Sequence, residues 1–338
     1  MNRLTKIMTV AALATTAYAV SVQAASKTVK VFILAGQSNM VGHGKVEDGR
    51  NPDYDKNKPG AKREIPGGIG GLRYLLTNPK TADQYKHLAD ADGKWVVRDD
   101  VWIYSTTDRG EKGPLTVGFG AGRWIGPELG FGHVVGDQLK EPVLIIKTAW
   151  GGKSLGVDFR PPSSGKSPYK GDPENVGKFY RDMLSTIKDV RDNLGTYFPE
   201  LKGRKLELAG FGWHQGWNDG CNAEMVSEYE KNMANFIKDV RKDLGVKDLP
   251  FVIANTGLIG LKAKGGVRAE LCEIQMAMGN PKKHPEFAGN VASVETRGFK
   301  RATEQSPSGF GYHWNHSGES HFLVGDAMGK AMVKLLSK

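Results

Sequence analysis

Short, nearly continuous apolar runs recur along the chain: VKVFILAG (29–36), PVLIIKTAWGG (142–152), KLELAGFGWHQG (205–216), PFVIANTG (250–257) and NVASVET (290–296). Each is rich in β-branched residues and closes on glycine or a polar residue, the pattern of strands covered on both faces. Between them apolar residues recur at spacings of three and four. Over 173–194 the stripe is Phe179, Met183, Ile187 and Val190; over 225–245 it is Tyr229, Met233, Phe236, Ile237 and Val240. These segments read as amphipathic helices, with Gly195 and Gly245 in C-cap positions and a strand following soon after. Strand and helix alternating at this spacing predict parallel βαβ units, hence an α/β fold with helices on both faces of one sheet.

Residues 45–127 break the pattern. They are rich in Gly, Pro, Asp and Lys and carry only short strand candidates, KWVVR and DVWIYS. The stretch reads as a long irregular insertion, and such insertions commonly serve a site. Its Trp95, Trp102, Tyr104, Phe119 and Trp124 could wall a ligand or simply pack the insertion onto the sheet.

The first 25 residues also stand apart. Arg3 and Lys6 precede an apolar run from Ile7 to Val20, and Val22-Gln23-Ala24 offers a small-x-small cleavage site. This predicts a secretory signal peptide over 1–25, a single domain over 26–338, and a secreted or periplasmic protein. The apolar core is short and diluted by Thr9, Thr15 and Thr16, which argues against a membrane anchor. Removing Arg3 and Lys6 with that segment leaves 45 basic against 37 acidic residues, a net charge of +8. Because the cations are scattered rather than clustered, no nucleic-acid partner is expected, although an acidic polysaccharide could benefit from the charge. Cys221 and Cys272 are the only cysteines, and their spacing suits neither a metal nor a redox motif.

In open α/β sheets ligands bind beyond the carboxyl ends of the strands. Three of those ends are unusual: Gly36-Gln37-Ser38-Asn39, Trp150-Gly151-Gly152-Lys153-Ser154, and Trp213-His214-Gln215-Gly216-Trp217-Asn218-Asp219. A serine at such a turn can attack a carbonyl if a base takes its proton, while nearby N–H groups hold the oxyanion. Ser38 is the candidate nucleophile, with its own N–H, that of Gly152, and a side-chain amide from Gln215 or Asn218 as oxyanion donors. Alone, Ser38 would serve equally well as a helix cap. The base should be a histidine. His43, His87, His133 and His284 lie outside the clusters and read as surface or packing residues, His214 lies inside the third, and GYHWNHSGESHFLVGDAMGKAM (311–332) supplies three more.

GQSNM, AWGGKS and WHQGWND, in this order, resemble the blocks of the SGNH hydrolases, most closely the sialate O-acetylesterase-like and acetylxylan-esterase branch of carbohydrate esterase family six. The resemblance implies a flavodoxin-like three-layer α/β/α sandwich with a mostly parallel sheet. It also implies Ser38 as nucleophile, Gly152 with Gln215 or Asn218 in the oxyanion hole, and His313 as base, with His316 as runner-up. The superfamily's acid stands three residues before its histidine, yet Phe310 holds that place here. Glu295 and Glu304 are the candidate acids, or a Ser-His dyad operates.

These expectations define a serine esterase removing O-acetyl groups from a carbohydrate, with no cofactor and no metal. The alternatives are a non-catalytic carbohydrate-binding protein on the same fold, or a lipid esterase or thioesterase. His313, His316 and His321 form a His-rich tract that could ligate metal, but no carboxylate or cysteine pattern accompanies it. GGKS lacks the first glycine of a phosphate loop, since Lys147 stands there, and GFGAGRWIG follows no convincing strand. With an ordinary histidine base, activity should fall below about pH 6.5.

Overall fold

A computed structural model describes residues 28–107, 111–169 and 173–338; the signal peptide expected over 1–25 lies outside the described residues. In chain order the elements are β1 (Thr28–Gly36), α1 (Ser38–Val41), β2 (Asp48–Arg50), β3 (Glu64–Pro66), α2 (Leu72–Thr77), α3 (Ala82–Tyr85), β4 (Val101–Ser105), β5 (Lys112–Pro114) and α4 (Pro127–Gln138). There follow β6 (Val143–Ala149), α5 (Lys178–Asp192), α6 (Leu194–Tyr197), β7 (Lys205–His214), α7 (Ala223–Leu244), β8 (Phe251–Ala254), α8 (Val267–Met278), β9 (Val291–Val294) and α9 (Gly318–Leu336). Short 3₁₀ turns join many of them.

The main sheet has the order β5-β4-β6-β1-β7-β8-β9, parallel throughout except for β5 against β4. Strand alternation divides the core in two. Val29, Val31, Ile33 and Ala35 of β1 face α5 and α7, packing with Met183, Ile187, Met233 and Phe236. Phe32 and Leu34 face α4 and α9, packing with Phe131, Val135, Phe322 and Met328. The result is the α/β/α sandwich, with hydrophobic burial on both faces as the driving force.

The five apolar runs all form strands, and both striped segments form helices. Tyr180 rather than Phe179 is the fully buried aromatic of α5, and Phe179 packs at the margin of that core. Gly245 caps α7 with φ 72°, as its position suggests. Gly195 does not cap α5, which ends at Asn193; it falls inside α6. The 45–127 region contributes more than an irregular insertion, because DVWIYS supplies β4, a strand of the main sheet with Trp102 only 7% exposed. Both cysteines are free, Cys221 exposed and Cys272 buried. No helix among the described residues is long and apolar enough to cross a membrane.

Candidate active site

Gly36, the last residue of β1, is paired with Ala149 of β6 on one side and His214 of β7 on the other. All three polar loops therefore leave the sheet at one level. From β1 the chain runs to β4 and β5 at one edge, returns to β6 beside β1, and then crosses to β7, β8 and β9 on the other side, so the sheet changes direction beside β1, the switch point at which such sheets bind ligands. Gly36 is required by close approach: a Cβ there would lie 2.1 Å from the His214 carbonyl oxygen. The next residue, Gln37, is the N-cap of α1 but makes no side-chain cap bond, and Ser38 opens the helix. The Ser38 side chain is 9% exposed and makes no hydrogen bond among the described residues, so its hydroxyl is not spent on capping.

Two side chains tie the loops together. Gln37 Oε1 accepts from Gln215 Nε2 at 3.2 Å and from the N–H groups of Gly216 (3.1 Å) and Asn218 (3.2 Å). The fully buried Asp219 carboxylate accepts from the N–H groups of Leu155 (3.0 Å) and Gly156 (2.9 Å) and from Gln215 Nε2 (2.5 Å). Burial drives the Asp219 pKa up to about 6, against the pull of these donors. Gln215 is thus a brace: Nε2 also donates to Lys153 O at 2.9 Å, and Oε1 accepts from Tyr229 at 3.0 Å. Its two amide hydrogens are committed, whereas the Asn218 side chain makes no hydrogen bond among the described residues. Gly152 is exposed with φ 69°, a left-handed backbone that glycine adopts without strain.

Lys147, buried within β6, braces α1, the short helix that Ser38 opens. Its ammonium donates to Val41 O (2.9 Å) at the end of α1, to Phe119 O (2.6 Å), and to Glu128 Oε2 (2.9 Å) of α4. Both charged side chains are essentially inaccessible to solvent. Burial pulls the Lys147 pKa down while Glu128 pulls it back up. A buried ammonium with three acceptors is stable only as a satisfied group, and this one is satisfied.

Five histidines gather over the strand ends. The turn His313–His316 packs against α1 and runs through four consecutive left-handed residues, with φ from 51° to 62° at non-glycine positions. Such backbone is costly and tends to occur at functional sites. His313 stacks on His43, ring centroids 3.8 Å apart, and His316 lies 6.0 Å from His313. Sequence reasoning had set His43 aside, yet the short loop after α1 carries its ring to the site. Trp124, from the 45–127 region, meets His43 at 6.3 Å and His316 at 5.5 Å. His321, fully buried, has both nitrogens engaged: Nδ1 donates to Ser317 O at 3.0 Å and Nε2 accepts from the His43 N–H at 3.2 Å. His214 is held by Ala254 O at 3.2 Å. The other three histidines expected to lie outside the clusters do so, His133 packing edge-on to His87 and His284 bonding Glu286 and Glu230.

All of the site histidines are held neutral. Burial, with His313 and His316 adding to it, lowers His43 to about 3. Burial and His316 lower His313 to about 4, below the ordinary value from which the sequence expectation of a pH 6.5 limit came. Burial and Lys45 lower His316, with Glu64 opposing them. Neither candidate acid bonds His313. Glu295 accepts from Asn255 Nδ2 at 2.9 Å and pairs with Arg297 at 2.6 Å; burial pushes its pKa up, but these partners outweigh it and hold it below the usual carboxylate range. Glu304 is exposed on a 3₁₀ turn. Glu64 of β3, which pairs with Lys45, acts on His316 alone of these rings.

His43, His313 and His316 each offer a ring nitrogen within 4.8 Å of the others, a different trio from the His-rich tract of the sequence. The His43 and His313 planes are 8° from parallel. Their lone pairs run side by side instead of converging, which does not fit a tetrahedral centre.

The comparisons with known proteins agree with this architecture. The family described as carbohydrate esterase, sialic acid-specific acetylesterase matches residues 28–334. A probable carbohydrate esterase of Arabidopsis thaliana is 23% identical over 273 residues, 80% of each chain. The X-ray structure of that plant protein superposes with a TM-score of 0.54 at 17% identity, covering 91% of this chain and 98% of its own. A carbohydrate acetylesterase from Xanthomonas citri gives a TM-score of 0.51 at 15% identity, covering 89% of this chain and 55% of its own. These superpositions show a shared fold, and the family match over nearly the whole described chain carries the conclusion: this protein belongs to the carbohydrate esterase, sialic acid-specific acetylesterase family.

Proposed function

We propose that the protein hydrolyses O-acetyl esters of a carbohydrate, with Ser38 as nucleophile and His313 as base. The supporting observation is the common level of Gly36, Ala149 and His214, which presents a free serine hydroxyl among three braced loops. His313 takes the Ser38 proton as Oγ attacks the acetyl carbon. The N–H groups of Ser38 and Gly152 and the Asn218 amide stabilise the oxyanion. The sugar oxygen then leaves with the proton from His313, giving acetyl-Ser38. Water attacks the acetyl carbon, loses a proton to His313, and acetate departs as Ser38 recovers its hydrogen. Among the described residues no carboxylate bonds His313, and the stack on His43 fixes its ring, which supports a Ser-His dyad.

The sequence expectation of a leader peptide makes the proposed location periplasmic or extracellular, with an acetylated oligo- or polysaccharide as substrate. The test is Ser38→Ala, assayed by acetate release from acetylated xylan and from an aryl acetate. Loss of the nucleophile should lower kcat by about 10⁴-fold or more. Unchanged turnover in the variant overturns the role of Ser38. No turnover by the parent on any acylated sugar favours a carbohydrate-binding protein instead.

A further inference from the structure

Beside the histidines lies a cleft of about 370 Å³ between the 50–63 segment and the loop at 303–310. Its cations are Arg50 and Arg63, and no carboxylate lines it. Neither guanidinium forms an ion pair among the described residues. Arg50 uses Nε on Ser306 O at 2.9 Å, while Arg63 is exposed, its Cζ 5.6 Å from the Tyr54 ring centroid. Among the described residues Tyr54 and Phe310 are two of the few large apolar side chains left exposed, at 37% and 52%. Ser308, 7% exposed, lines the same cleft with a buried hydroxyl that has no partner. Phe310 also meets His316 edge-on at 5.3 Å, so one wall of the cleft touches the histidine cluster.

Two unpaired guanidiniums, an orphan hydroxyl and two aromatic faces suit a planar anion carried on a pyranose ring. Guanidinium binds carboxylate in a two-point, charge-assisted geometry. A second cleft, near Lys238 and Arg241, also carries cations but includes Asp248 and Glu286, which neutralise part of its field. We propose that the Arg50–Arg63 cleft is a subsite for a carboxylated sugar residue adjoining the acetylated one, which makes the preferred substrate an acidic glycan. The inference rests on the reading above only for the position of the acetylated ring.

The test uses the full chain carrying Ser38→Ala, titrated calorimetrically with trigalacturonate, xylotriose and free N-acetylneuraminate. Trigalacturonate should bind at least about tenfold more tightly than xylotriose. Adding Arg63→Gln, an exposed change that leaves the core intact, should weaken trigalacturonate about tenfold and leave xylotriose unchanged. The acidic ligand alone should lose affinity as salt rises from about 50 mM to about 300 mM. N-acetylneuraminate binding as tightly as trigalacturonate, with the same Arg63 dependence, supports the carboxylate subsite and assigns it to nine-carbon acid sugars. Equal affinity for neutral and acidic trisaccharides, or an Arg63→Gln variant that binds all three as before, overturns the proposal. These readouts require no turnover, so an inactive parent would refute the esterase and leave the subsite to be decided by binding.

Discussion

The imidazole of His43 lies flat against that of His313, centroids 3.8 Å apart and planes 8° from parallel. Two rings this close and this buried cannot both carry a proton, and both are held neutral, at about 3 and about 4. In the proposed mechanism the neutral His313 ring is the form that accepts the serine proton. Activity on an aryl acetate, in assays brief enough to avoid unfolding, should therefore stay level down to about pH 5 and fall near pH 4. A fall centred near 6.5 would locate the base elsewhere.

His316 is one of the two causes that lower His313. Replacing it with Gln should move the acid limb of kcat/KM upward toward the ordinary histidine value while preserving most of the rate. His313→Ala should cost about 10²- to 10⁴-fold. The reverse pattern, with His316 indispensable and His313 dispensable, would exchange their roles.

Stability should depend on pH through the same rings. His43, His133, His214, His313, His316 and His321 all have folded pKa values below the unfolded value near 6.5. Their contribution is complete above about pH 6.5 and is lost as pH falls toward 4, because the unfolded chain binds more protons in that window. Asp219, raised to about 6, works in the opposite sense between its unfolded value and 6, one group against six. The urea midpoint should be lower at pH 5 than at pH 7, and equal midpoints would contradict the burial of these rings.

Asn218 and Gln215 should separate by phenotype. Asn218→Ala removes an amide with no structural bond, so kcat should fall about 10²-fold or more with the melting temperature unchanged. Gln215→Ala removes a brace between three loops, so the melting temperature should drop as well. A rate loss in Gln215→Ala alone, without destabilisation, would return the oxyanion role to Gln215.

Lys147→Met leaves Glu128 charged and buried and strips donors from Val41 O and Phe119 O. The cost should be about 3–5 kcal/mol in denaturant unfolding. Adding Glu128→Gln should recover part of it. A neutral single variant would mean that the pair is not buried as described.

Strands and flanking helices were legible because burial on both sheet faces writes itself as uninterrupted apolar runs, and amphipathic packing as a 3.6-residue stripe. The three strand ends were legible because glycine and amide-bearing residues cluster after those runs. What escaped reading depends on tertiary placement. Lys147 inside PVLIIKTAWGG was a visible signal, since a charge in a strand buried on both faces must have a partner, but Glu128 could not be named from sequence. His43 looked like a loop residue because nothing local announces a ring stacked on one from residue 313. Gln215 and Asn218 were equivalent candidates until the acceptors around Gln215 were known. DVWIYS was too short to reveal that it joins the main sheet.

The position of β1 has a consequence for how the molecule is made. The first described strand is the middle of the sheet, and its neighbours β6 and β7 begin only at Val143 and Lys205. During synthesis this apolar strand must wait for its neighbours, β6 complete only at Ala149 and β7 only at His214. Ser38, which it delivers, waits longer still for the proposed base at position 313. Folding of this kind is dominated by distant partners and is slow and prone to aggregation. With the proposed base at His313, ester-cleaving competence becomes a property of the nearly finished chain, and an amino-terminal fragment that stops short of residue 313 should lack it.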